Sequence, residues 1–218
     1  MWLRAAGRYR PFPGLPAGAL AATDYRESIL ESLLLACLLS ANVVALDNDY
    51  VLVTRDAVQC ASPDDPAFAD RVVVALGDME ISARKMVRGD IAVYKSGESF
   101  ALSSGASFFE VSIKAHHPRA DSPAEVIPPE KNAMRYDGDD YFIFEEQLAP
   151  GDTRARHSHS QRVVMQLNRE RLRQWPEGKP EVFVETVPDR ASFNPPVIHT
   201  VKNVGDTPLR GIIIEFKP

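Results

Sequence analysis

One β pattern occurs twice in this chain. Asp49-Tyr50-Val51-Leu52-Val53 returns as Asp140-Tyr141-Phe142-Ile143-Phe144. Asp70-Arg71-Val72-Val73-Val74-Ala75-Leu76-Gly77 returns as Gln161-Arg162-Val163-Val164-Met165-Gln166-Leu167-Asn168. Gly89-Asp90 leads through Gly97 to Phe100 as Pro188-Asp189 leads through Pro196 to His199, and both copies close on an apolar strand with a late lysine, Lys114 or Lys217. Self-similarity at this scale marks each copy as one supersecondary unit. Short β-branched runs separated by Gly, Pro and Asp clusters, with no long helical periodicity between them, predict an all-β sandwich or barrel for each.

The copies set the boundaries at 46–117 and 132–218. Between them, residues 118–131 carry Pro118, Pro123, Pro128 and Pro129. Each proline removes a backbone donor and stiffens the chain, so this stretch reads as an extended linker. With 218 residues, 44% of them hydrophobic, there is enough apolar content to give both copies a core.

Residues 1–45 read differently, and two readings stay open. Gly7 to Gly18 is rich in Arg, Pro and Gly; Asp24 and Glu27 then resemble a capping pair before Leu30, Leu33, Leu34, Cys37, Leu38 and Ala41 at helical spacing. That is an amphipathic helix docking on the body. Alternatively, Leu33-Leu34-Leu35-Ala36-Cys37-Leu38-Leu39 is the apolar core of a secretory signal, with Ala41 and Ala45 before a cleavage point. The run is too short to span a bilayer, so a mature chain carries no membrane span. The signal reading implies a periplasmic or secreted protein, and the helix reading a cytoplasmic one.

Composition excludes several functions. Lys and Arg number 25 against 30 Asp and Glu, a net charge of −5 with no basic cluster, which argues against nucleic-acid binding. Two cysteines, Cys37 and Cys60, exclude a disulfide scaffold and a four-thiolate metal site. No phosphate-cradling glycine loop or nucleophile triad is visible.

The second copy opens with Gly151, five residues, then His157-Ser158-His159, and later shows His199 followed by Asn203. These residues resemble the two motifs of the cupin superfamily, Gly-x5-His-x-His-x3or4-Glu-x6-Gly and Gly-x5-Pro-x-Gly-x2-His-x3-Asn. The resemblance covers most of residues 46–218 and implies a bicupin, two tandem jelly-roll (double-stranded β-helix) barrels. The departures are specific. Gln161 stands in the glutamate place, and Pro188, Asn194 and Pro196 stand where Gly, Pro and Gly are usual. The first copy keeps Gly89 and Gly97 but has Pro66, Phe68 and Phe100 at the histidine places and Asp70 at the glutamate place. The first barrel is therefore expected to be a structural or ligand-contacting partner, and the second to hold the chemistry.

Strand geometry points the same way. Residues i and i+2 share a face, so His157 and His159 project together with Gln161 next in line, and His199 meets them from a returning strand. Three neutral imidazoles suit Zn, Fe, Ni, Cu or Mn and leave positions open for a small-molecule ligand. Gln161 is expected as a weak ligand or an orienting neighbour. Alternation turns Arg156 and Arg162 outward and Met165 inward, while Arg154 flanks the site. His116 and His117 read as a solvated pair, Trp175 as packing at a hairpin turn, and Asp70 as a surface or turn carboxylate with no proton-transfer partner. The resemblance permits dioxygenases, isomerases and decarboxylases without choosing among them. The competing reading is a metal-free module binding a carbohydrate or other small ligand. Homodimerisation is expected from the resemblance alone.

Overall fold

The computed structural model describes residues 44–56, 65–129 and 132–218; both N-terminal readings fall largely outside these, as do Cys37 and Cys60. Ala45, the second small residue of the signal reading, lies in the first strand. The described residues form strands and turns only, so no helix long and apolar enough to cross a membrane is among them.

The C-terminal half contains β8 (Asn132–Asp137), β9 (Tyr141–Leu148), β10 (Thr153–His159), β11 (Arg162–Gln166), β12 (Glu170–Pro176), β13 (Val182–Thr186), β14 (Arg190–Asn194), β15 (Val197–Asn203) and β16 (Leu209–Phe216). They pair as β14-β11-β16-β9-β8 in one sheet and β10-β15-β12-β13 in the other. From β9 onward the chain passes repeatedly between the sheets. The orders β9-β16-β11-β14 and β10-β15-β12-β13 are those of an eight-stranded jelly roll made of two Greek keys.

The N-terminal half contains β1 (Val44–Asp47), β2 (Val51–Arg55), β3 (Phe68–Ala75), β4 (Met79–Ile81), β5 (Arg84–Met86), β6 (Ile91–Lys95) and β7 (Phe108–Lys114). Its five-stranded sheet, β1-β2-β7-β3-β6, repeats the order β8-β9-β16-β11-β14. The stretches matched in sequence thus occupy corresponding strands: β2 with β9, β3 with β11, β7 with β16. The facing sheet is smaller. Among the described residues it consists of the β4–β5 hairpin and a single bridge, Ile81 to Leu102. The interior beneath it is filled by Val73, Ala75, Met79, Ile81, Met86 and Phe108, with Phe100 packed alongside.

Register corrects two of the sequence correspondences. The amide of Gly89 (φ 91°) donates to Ala75 O as that of Asp189 (φ 61°) donates to Gln166 O, so Asp189 rather than Pro188 takes the turn glycine's place. A Cβ at Gly89 would also meet the Arg210 guanidinium at 2.6 Å and Leu167 Cδ1 at 3.0 Å, so that guanidinium would have to move. The Ile81–Leu102 bridge corresponds to the Leu172–Asn203 pair, which puts Phe100 opposite Val201 in the alignment instead of His199. An insertion between turn and strand shifted the simple count.

Each five-stranded sheet turns one face toward the other. Val51, Val53, Val72, Val74, Phe109, Val111 and Ile113 form one cluster with Ile143, Val163, Met165, Ile212, Ile214 and Phe216. The alternation of β11 explains its dual role. Val163 and Met165 enter this shared core, while Arg162, Val164 and Gln166 face the jelly-roll interior. The proline-rich segment does run without regular structure, yet it is fastened: Ile127 N donates to Ser158 Oγ at 2.7 Å and Ser158 N to Ile127 O at 3.0 Å. It thereby covers the free edge of β10.

Candidate metal centre

β10 lies beside β15 with His157 directly opposite His199. A bulge between Arg154 and His157 changes the parity of β10, so that Arg154, His157 and His159 all turn inward. The three imidazoles are 0%, 2% and 6% exposed for His157, His159 and His199, and one ligand nitrogen from each lies within 4.8 Å of the others.

Every Nδ1 has a fixed partner. His157 Nδ1 donates to Ala155 O at 2.8 Å, His159 Nδ1 to Glu215 Oε2 at 2.7 Å, and His199 Nδ1 to Gln174 Oε1 at 3.3 Å. Three Nδ1–H donors leave three Nε2 lone pairs. His157 Nε2 and His199 Nε2 are 3.1 Å apart, a separation that two nitrogens each about 2.0–2.1 Å from one ion adopt. Phe144 stacks parallel to the His159 ring at 6.0 Å and further fixes its plane.

The electrostatics keep the cluster neutral. Burial, above all, pushes His157 down to about 4 and holds His159 and His199 below the ordinary imidazole range, with Arg154 and Arg162 nearby adding to it. Unprotonated imidazole is the form that ligates. Glu215 is pushed up to about 7 by burial, opposed by the Ser160 amide that donates to its Oε1 at 2.8 Å.

A cavity of about 320 Å³ opens between the two sheets from this cluster. His159, His199, Gln174, Arg162 and Asn194 line the near end; Glu146, Gln166, Glu170 and Thr186 line the far end.

His157, His159 and His199 converge as the sequence predicts. Gln161 stands apart from them: β10 ends at His159, and the chain turns through Ser160 and Gln161 into the other sheet. Its amide nitrogen donates to Asp121 Oδ2 at 2.9 Å, tying the site's turn to the proline-rich segment. The same turn resets the alternation. Arg162 is buried and lines the cavity, where an outward position was expected, and donates to Pro195 O at 2.9 Å. Met165 is buried as expected but in the core shared by the halves. Arg156 does face outward, paired with Glu125 and Glu177.

His116 is exposed, while His117 stacks on Tyr50 at 5.4 Å. Trp175 lies near the β12–β13 turn and remains 38% exposed. Asp70 is buried, contrary to the surface reading, because it sits between the halves and accepts from Tyr141 Oη at 2.7 Å and Lys95 Nζ at 2.8 Å. Glu215, Gln174, Glu146 and Glu170 escaped the sequence reading. Glu215 left a signal there, a lone carboxylate inside Ile212-Ile213-Ile214-Glu215-Phe216.

A jelly roll with two imidazoles on one strand and a third on its neighbour, preceded by a sheet of matching order, settles the architecture. The chain has a tandem cupin-type fold. No family model and no curated protein sequence matches it. Solved structures similar to it include a cupin domain from Bordetella pertussis, 22% identical over 43% of this chain and 98% of that one, with a TM-score of 0.38. AerE from Microcystis aeruginosa is 15% identical over 78% of this chain and 94% of its own, with a TM-score of 0.46. A cupin 2 conserved barrel domain protein from Leptotrichia buccalis is 10% identical over 79% and 86%, with a TM-score of 0.48. Within this cupin-type pair, the interior of the first half holds an apolar cluster together with the buried Arg71–Glu110 pair, and that of the second carries the imidazoles.

Proposed function

We propose that the C-terminal jelly roll holds one divalent transition metal on His157, His159 and His199 and uses it to bind or transform a small polar molecule in the adjoining cavity. The observation that carries this reading is the shared orientation of the three rings, each Nδ1 tied to a protein oxygen. A bound ion supplies Lewis acidity and open coordination positions for a ligand oxygen. The chain supplies the rest: Glu215, Ala155 and Gln174 orient the rings, the proline-rich segment closes the strand edge, and the cavity walls select the ligand. Dioxygenase-type and isomerase-type reactions are the classes that the cupin resemblance suggests, and Zn, Fe, Ni, Cu and Mn all suit the donor set.

Elemental analysis of untagged protein tests this directly. About one equivalent of a transition metal is expected in the parent protein and a large loss in His157→Ala and His199→Ala. Equal, negligible metal in all three overturns it. A metal-free binding module is the second reading, since two Nε2 atoms 3.1 Å apart can also share a proton. Ligand affinity that survives exhaustive chelation supports that module over the metal centre.

The corresponding strand orders of the halves support a duplication followed by differentiation of the two copies. Export follows from the signal reading of residues 33–39, and N-terminal sequencing of protein from a native host tests it; an intact Met1 ends it.

A further inference from the structure

The cavity is chemically two-ended, and its far end is built of acceptors. Glu170 is buried, and no cation pairs with it among the described residues; Thr186 Oγ1 donates to its Oε2 at 3.1 Å. Its Oε1 lies beside Gly211, 3.9 Å from where a Cβ on that glycine would stand. Gln166, 6% exposed and lining the same end, has an Oε1 with no hydrogen-bond partner at all. Glu146, also there, has one oxygen held by Arg154. A buried amide oxygen left without a donor is costly, and so is a buried carboxylate without a cation. Both deficits are met by a group with several N–H donors and a positive charge. Burial and the neighbouring Glu146 also raise Glu170 to about 7, the behaviour of a carboxyl still lacking its counter-ion.

The spacing gives the ligand's length. Gln174, which supports His199, is four residues from Glu170 on β12, roughly 13 Å at about 3.3 Å per residue. We infer that the Glu170–Gln166 end of the cavity receives the protonated amine of a small, elongated ligand whose opposite end presents an oxygen donor to the histidine cluster. The oxygen-donor end rests on the metal reading above; the amine end does not.

The test uses three probes that differ only at one terminus: ω-aminohexanoate, ω-hydroxyhexanoate and heptanoate, titrated calorimetrically into the full chain with and without metal. Charge-assisted bonds at the far end predict that the amine binds about tenfold or more tighter than either control. Glu170→Gln removes that preference while leaving metal content unchanged. Gln166→Leu weakens the amine selectively as well. Equal affinity for all three probes, or a preference that survives in both variants, overturns the inference. Failure of the metal reading shows separately, as His199→Ala affecting none of the probes while the amine preference persists. Thermal melting of each variant confirms that the fold is intact.

Discussion

Glu215 Oε2 accepts the Nδ1 proton of His159 at 2.7 Å, and it does so from the other sheet. β16 thus fixes the tautomer and ring plane of an imidazole carried on β10, joining the two walls of the jelly roll at the site itself. A carboxylate acting through imidazole makes the opposite nitrogen a better donor. Replacing it with an amide keeps the shape and loses the charge. Glu215→Gln is expected to lower metal affinity about 10–100-fold, as read by competition with a chromogenic chelator, while circular dichroism stays unchanged.

Glu170 gives stability a defined pH dependence. Its carboxyl titrates near 7 in the fold against 4.5 as the ordinary value, so the folded chain holds the extra proton between those pH values. Stability from this group is therefore full below pH about 4.5 and lost as pH rises through 7. Glu170→Gln mimics the protonated form. The variant should be more stable than the parent by up to ~3 kcal/mol at pH 8.5, with the difference vanishing near pH 4.5. Urea denaturation of metal-free protein at both pH values measures it.

Arg154 is buried and pairs with Glu146 because the bulge in β10 turned it inward. Truncating one partner leaves the other charge uncompensated. Arg154→Ala is expected to cost about 3–5 kcal/mol. Combining Arg154→Met with Glu146→Gln should recover most of that loss in a double-mutant cycle.

The β4–β5 hairpin turns on Ser82 (φ 47°) and Ala83 (φ 65°), both left-handed and neither a glycine or asparagine. Two-residue turns with positive φ at both positions favour Asn-Gly. Ser82→Asn with Ala83→Gly should raise stability by about 1 kcal/mol, seen as a higher melting temperature with unchanged metal content.

Much of this arrangement was legible in the sequence because strand pairing and ligand spacing are both local patterns. The matched stretches at Tyr50 and Tyr141, and at Val72 and Val163, fall on corresponding strands, and His157, His159 and His199 meet. Two of the differences, at Gln161 and Arg162, share one cause. Alternation was carried from His159 through Gln161 to Arg162 as though along a single strand, but the chain changes sheet at Ser160–Gln161, and the inside of one sheet does not continue into the next. That misplaced Gln161 and Arg162. Asp70 reads as a surface or turn carboxylate in the sequence because its partners, Tyr141 and Lys95, are distant along the chain and meet it only where the halves pack. Glu170 and Gln166 carry no spacing signature; only the closed cavity makes them neighbours.

Because Val72, Val74 and Val111 share their core with Val163, Met165 and Ile214, neither half covers both faces of its five-stranded sheet by itself. Severing the chain at the prolines would strip an aliphatic wall bare on both fragments, and an isolated C-terminal piece would clump through that wall. The first half thereby covers the reverse of the histidine-bearing one.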